Sequence, residues 1–231
     1  MVGLVAALAV TGCDRAGPGS SSSAPTTVPA SSAPGPSPSG GQAPTVIPIS
    51  AFLELPKHLS HGETRTRVEV EEAVPRLCGG EFASRGETAA SAAVLSVHGL
   101  PGDEPGTIPA GVLYQTIRTY SGDGAAAFMG RLRSDLASCE SYTRDGVAFR
   151  TRTAALSGVG GEALTIDVIQ PQTDLPGNPV GGSQTNRAVV IRVGDTVTIL
   201  WDAEYERSSS KPEVVADFAR RAVAAIEAWR R

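Results

Sequence analysis

Apolar positions along this 231-residue chain follow two periods, and together they outline an α/β body. The clearest period of two lies in RAVVIRVGDTVTILWDAEY, 187–205. Two β-branched runs flank Gly194-Asp195, a two-residue connection suited to a tight hairpin. Alternation places Val189, Ile191 and Val193 on one face of the first strand, and Val197, Ile199 and Trp201 together on one face of the second. Four earlier runs also predict strands: RTRVEVEEA (65–73), AGVLYQTIRTY (110–120), VAFRTRTAAL (147–156) and EALTIDVIQ (162–170). Between the last run and the hairpin, PQTDLPGNPVGGSQTN (171–186) reads as a long Pro/Gly loop, a surface excursion or a lip over a cleft.

The helical period appears twice. From Gly124 to Ser138, Ala125, Phe128, Met129, Leu132 and Leu136 line one face, and Cys139 lies at the end. From Pro212 to about Trp229, Val215, Phe218, Ala222, Ile226 and Trp229 form a second stripe. Ser210-Lys211-Pro212-Glu213 has the form of a capping box, with Pro in the first turn. Arg220, Arg221, Arg230 and Arg231 complement the dipole at the helix's far end. The pattern predicts an α/β (α+β) domain: a largely antiparallel sheet with two main helices packed on it.

Regular periodicity starts only at Pro44. Of the 30 residues from Asp14 to Ala43, 21 are Pro, Gly, Ser or Thr. Such a segment buries too little apolar surface to offset its ordering entropy and is expected to be a disordered tether, roughly 30 Å in mean span. Ahead of it, residues 2–12 (VGLVAALAVTG) carry no charge. That run is too short for a bilayer core, which takes about 20 helical residues, and suits a signal peptide, although no Lys or Arg precedes it. Val10-Thr11-Gly12-Cys13 resembles the lipobox of bacterial lipoproteins. The resemblance implies a diacylglyceryl group on Cys13 and cleavage just before it. The expected organisation is a lipoprotein signal peptide at 1–12, lipidated Cys13 and tether at 13–43, and a globular domain at 44–231. Cys78 and Cys139 then remain as an even pair outside the cytoplasm and are expected to form one disulfide.

Composition narrows the chemistry. Formal charge is −4 with a pI near 5.4, giving no electrostatic reason to expect nucleic acid. Histidines His58, His61 and His98 are the candidate bases, but no G-x-S-x-G elbow offers a nucleophile. Lys57-His58-Leu59-Ser60-His61 supplies two imidazoles, short of the three or four ligands a zinc site needs. Leu156-Ser157-Gly158-Val159-Gly160-Gly161 precedes no helix and reads as a turn between strands. Glu69, Glu71 and Glu72 fall on a predicted strand, as solvated charges. Asp202, Glu204 and Glu206 alternate at another strand end, a weak cation site or, by preference, a solvated face; Trp201 reads as core. No catalytic, metal or cofactor-binding residue is assigned, and the chain is not expected to be an enzyme.

Several spaced features together carry a family resemblance. They are Ile47-Pro48-Ile49-Ser50-Ala51-Phe52-Leu53, Leu77-Cys78-Gly79, the Tyr-ending strand before a helix that stops at Cys139, Ser157-Gly158-Val159-Gly160-Gly161-Glu162-Ala163, and Arg192-Val193-Gly194-Asp195. With the lipobox and tether, they are similar to actinobacterial lipoproteins related to the extracellular sensor domain of PknH-type serine/threonine kinases. The resemblance implies an antiparallel α/β domain with a ligand cleft, of whose two family disulfides Cys78 and Cys139 leave one. The function it implies is a sensor-like module on the outer face of the cell membrane, lipid-anchored through Cys13, binding a small or lipid-like ligand. The alternative is an interaction protein that docks an envelope protein.

Overall fold

The computed structural model describes residues 43–62, 65–78, 82, 88–104, 106–206 and 208–231. Cys13, the expected signal peptide at 1–12 and all but the last residue of the expected tether lie outside the described residues. Among the described residues the eight strands are β1 (Thr66–Val68), β2 (Thr88–His98), β3 (Gly111–Tyr120), β4 (Ser141–Arg144), β5 (Val147–Ala155), β6 (Glu162–Thr173), β7 (Pro179–Val193) and β8 (Thr196–Glu204). They form one antiparallel sheet in the order β1-β2-β3-β8-β7-β6-β5-β4. Helix α1 (Gly124–Ala137) carries the chain from the centre of the sheet to its far edge, and α2 (Pro212–Arg230) ends it. The expected fold class is observed, including the Cys78–Cys139 disulfide, with Cα atoms 5.9 Å apart.

The two helices cover opposite faces, as the alternation in β7 and β8 shows. Val189 and Ile191 pack under α2 with Leu200, Val215 and Phe218. Ala188, Val190, Val197 and Ile199 pack under α1 with Phe128, Met129 and Leu132. A two-residue turn carries out this division: Val193 pairs with Thr196, and Gly194 takes φ 61°, a conformation glycine adopts without steric penalty. Strands covered on both faces lose the polar alternation of a one-sided sheet, which is why VVI and VTIL read as continuous apolar runs.

Residues 44–61 add a further layer on the α2 side. The segment begins where Thr119 Oγ1 donates to the Pro44 carbonyl, at 2.7 Å. It makes a short 3-10 turn at Ile49–Ala51 and ends at the bridge between Ser60 and His98. Midway, the Leu53 amide donates to Gln115 Oε1 at 2.9 Å, and Gln115 Nε2 donates to Thr198 Oγ1 at 3.2 Å. Pro44 therefore lies at the end of the sheet holding Thr119, while the start of β3 and the end of β8 lie at the other.

Four expectations change. The first predicted strand stops at Val68, because Glu72 and Ala73 amides donate back to Glu69 and Val70 carbonyls in a turn; Glu69, Glu71 and Glu72 share no strand face. The stretch 171–186 is mostly strand. Beyond Ile169 and Arg187, the last residues paired with β5 and β8, β6 and β7 continue together as a ribbon, and Thr173 pairs with Pro179 around Asp174–Asn178. Gly181 and Gly182, at φ 81° and 80°, take the twist near the register shift at Pro171/Thr173. The capping box is not formed: Lys211 is the N-cap, and no side chain bonds into it. Finally, β2 and β4 were not anticipated. The first half of β2 is TAASAA, residues of weak strand propensity, held by β3 along its length. Asp145 and Gly146, both at positive φ, make the tight turn that joins β4 to β5.

Candidate functional site

Charged side chains meet at the end of the sheet farthest from Pro44. Register sets Arg152, Asp167, Arg187 and Asp202 opposite one another across β5, β6, β7 and β8, on the face that carries α2. Arg187 forks onto Asp167, with Nε and Nη2 at 2.6 and 2.8 Å from the two carboxylate oxygens. That hydrogen bond raises the Arg187 pKa; burial opposes it, and the negative charges of Asp167, Glu213 and Asp202 add to the rise.

Asp202 is 2% exposed and accepts from His98, its Oδ1 lying 2.7 Å from Nε2. The contact passes across β3, which lies between β2 and β8. Gly111 makes room for it: a Cβ there would lie 2.5 Å from His98 Nε2 and 2.7 Å from Asp202 Oδ1. His98 Nδ1 faces the Gly99 carbonyl at 3.0 Å, and Phe218 of α2 meets the ring edge-on at 5.0 Å. With an acceptor at each ring nitrogen, both bonds form only in the imidazolium state. Burial works to lower the His98 pKa, but the Asp202 hydrogen bond and charge and the Gly99 carbonyl outweigh it, and the value is raised.

Around this pair the backbone is tied down by serines. Ser210 Oγ accepts from the Arg187 amide and donates to the Asp202 carbonyl, each at 3.0 Å. The residue placed at the helix cap by its spacing thus fastens the β8–α2 connection to the sheet. Ser208 Oγ donates to the Ala110 carbonyl. His61 and Asp103 flank Gly99, where a Cβ would lie 2.6 Å from His61 Nε2 and 3.0 Å from Asp103 Oδ2.

The structure thus separates the acidic run that alternation had grouped. Asp202 is a buried ion-pair partner rather than a solvated charge, because Gly111 opens a path to His98. Glu206 lies past the strand, at φ 49° and exposed. Of the three histidines, His98 enters the core, His61 sits beside its loop and His58 is exposed. No group of three His, Cys, Asp or Glu side chains is placed to hold a metal among the described residues. Trp201 packs at the margin of the core under α1. Gly158-Val159-Gly160 is a turn: Val159 is buried beneath α2, and a Cβ on Gly160 would lie 2.7 Å from the Arg192 carbonyl. The signal sequence reasoning missed was Gly111 at the start of a strand, opposite His98, where a missing side chain marks close approach.

A second feature lies at the other wing of the sheet. A groove of about 520 Å³ runs between the end of α1 and the outer edge of β5, lined by Leu136, Ala137, Glu140 and Arg150–Thr153. Beside it, Tyr142 stacks on Phe149 with ring centres 5.0 Å apart, and Arg144 lies over the same Phe149 ring. Burial raises the Tyr142 pKa, opposed by the Arg144 charge.

No known family pattern and no curated protein matches the chain. Among solved structures, it is similar to the extracellular domain of PknH from Mycobacterium tuberculosis, at 17% identity and a TM-score of 0.39, over 64% of this chain and 68% of that one. Among the described residues, no helix is long and apolar enough to cross a membrane.

Proposed function

We propose that the chain is a lipid-anchored, extracytoplasmic sensor-like module that works by binding rather than by catalysis. In this reading residues 1–12 are removed, Cys13 carries the lipid, and the tether to residue 43 holds the folded body off the membrane. The observation that carries the proposal is the polarity of the body. The chain joins it at Pro44, and the Arg187–Asp202–His98 network and the β6–β7 ribbon lie at the opposite end, roughly 25–30 Å away along β3. Attachment through the residues before Pro44 would leave that end clear of the point of attachment. The Cys78–Cys139 disulfide supports an oxidising compartment.

The ligand proposed is a small or lipid-like molecule at that end, away from the point of attachment. A second reading, an envelope protein as partner, is favoured by the interfaces beneath the helices. Phe218, Ala222 and Met129 are fully buried there against the sheet, which leaves recognition to outer surfaces.

Expression of the full chain in a host that processes lipoproteins tests the anchor. Lipid labelling and membrane partitioning are expected for the parent and lost in Cys13→Ala, with unprocessed protein accumulating. A variant that stays membrane-bound without such accumulation would overturn it. Native mass spectrometry of the detergent-solubilised chain with envelope extract tests the ligand: an adduct lost on denaturation supports the small molecule, and a clean mass turns the case to a protein partner.

A further inference from the structure

The edge of β5 is left half-covered. β4 pairs with Val147–Arg150 and stops, and the Thr151 amide closes the pairing onto the Glu140 carbonyl at 2.9 Å. From there the chain turns away at Cys139 into α1. Amide direction alternates along a strand, so Thr153 and Ala155 face outward as Thr151 does, while Arg152, Ala154 and Leu156 face β6. The Thr151 carbonyl and both main-chain groups of Thr153 and Ala155 are without a backbone partner among the described residues. Thr151 and Thr153 border the groove under the end of α1. This is an open sheet edge about 13 Å long, beside a concave wall.

Side chains define what fits it. Arg150 and Arg152 stand exposed two residues apart, on the face away from α1. Neither forms an ion pair among the described residues. Asp167, directly opposite Arg152, is held in both oxygens by Arg187. Thr151 and Thr153 lie on the groove face, with Glu140 opposite Thr151.

We propose that this edge receives an extended segment of a partner protein, added as a strand beside Thr151–Ala155, with carboxylates at the alternate positions opposite Arg152 and Ala154, within diagonal reach of the Arg150 and Arg152 side chains. Main-chain bonds supply the affinity and the arginines the choice of partner. Small or hydroxyl side chains on the alternate positions fit beneath Leu136 and Ala137. Two other occupants fail on charge. A second copy pairing antiparallel about Thr153 would set each Arg152 opposite Ala154 and leave the arginines of both copies on one face as diagonal neighbours, with no carboxylate to offset them. The chain's own residues 14–43 hold a single carboxylate, Asp14, and cannot match two arginines. The inference deepens the protein-partner reading and concerns the folded body alone, so it stands or falls apart from the anchor at Cys13.

The test uses the full chain in its oxidised form and a labelled peptide alternating Glu with Val and Thr. Saturable binding is expected, with slowed hydrogen exchange over 151–155. Replacing each Glu by Lys, or N-methylating the amides on the pairing edge, is expected to weaken binding by about tenfold or more. Arg150→Glu with Arg152→Glu is expected to reverse the preference to the Lys peptide. The N-methylated probe leaves the protein untouched, so it separates pairing from any folding defect of that variant. No saturable binding up to about 1 mM, or binding indifferent to N-methylation, would overturn the proposal. So would protection of 151–155 on concentrating the chain alone, since the occupant would then be a second copy.

Discussion

Strands β7 and β5 lie in the same sheet, two positions apart, yet obey different rules. β7 has a helix on each face, and its RAVVIRV core is buried residue after residue: Ala188, Val189, Val190 and Ile191 are at most 1% exposed. β5 has α1 on one side and solvent on the other, and its VAFRTRTAA buries one side chain, Phe149. Where both faces are covered, a strand has no place for an unpaired charge. Many polar groups of the covered half bond to one another: Leu53 to Gln115 to Thr198, Arg187 to Asp167, and His98 to Asp202, while Thr116 Oγ1 and Tyr120 OH are buried without a partner among the described residues. In the open half Arg150 and Arg152 remain available. Stability is therefore concentrated in the centre of the sheet, and capacity for recognition at its wing.

That contrast can be broken most sharply at the buried pair. His98→Ala or Asp202→Ala leaves one charge in the core without its partner and should cost about 3–5 kcal/mol in chemical unfolding. The parent should also lose stability as pH rises. The folded pKa of His98 lies above its ordinary 6.5, so the unfolded chain releases this proton first. The contribution is full below 6.5 and is lost as pH climbs through the folded value. Asp202 is the charged group that acts on it, and Asp202 and Glu213 in turn act on Arg187. Unfolding free energies at pH 6 and pH 9 should differ in the parent and differ less in His98→Ala; equal slopes would refute the assignment.

Next comes the staple of the α1 side. Replacing Cys78 and Cys139 together by Ser opens a loop spanning 61 residues and should lower stability by about 4 kcal/mol, read as a drop in unfolding midpoint. A smaller loss, about 1–3 kcal/mol, is expected for Gly111→Ala, whose Cβ would force His98 and Asp202 apart. If that variant melts like the parent, the pair is not held through the gap in β3. At the wing, Arg152→Thr should change stability by under about 0.5 kcal/mol, since the side chain is exposed and unpaired. A larger loss there would mean the open half carries more of the fold than its packing shows.

How far the sequence could be read followed from how local the physics was. Both helices, four of the strand runs and the Gly194-Asp195 turn announce themselves by spacing, because each rests on neighbours a few residues apart. The failures have particular causes. β2 opens with TAASAA, and its strand character comes from pairing with β3 rather than from its own residues. Ser210 and Glu213 have capping-box spacing, yet the serine hydroxyl finds the Arg187 amide and the Asp202 carbonyl instead. Asp145-Gly146 was a legible hairpin signal that would have revealed β4.

By itself, then, the sequence determined the alternation of strand and helix, the apolar faces of α1 and α2, the pairing of Cys78 with Cys139 by elimination, and the expectation of an anchor at Cys13. Only the tertiary structure decided that the helices take opposite faces, that 171–186 is a ribbon rather than a loop, and that His98 meets Asp202 across Gly111, 104 residues apart in sequence. Periodicity and propensity act over a turn or a strand's length and are written into neighbouring residues. A contact through a missing side chain on a third strand depends on sheet order and register, which pairing between distant segments sets.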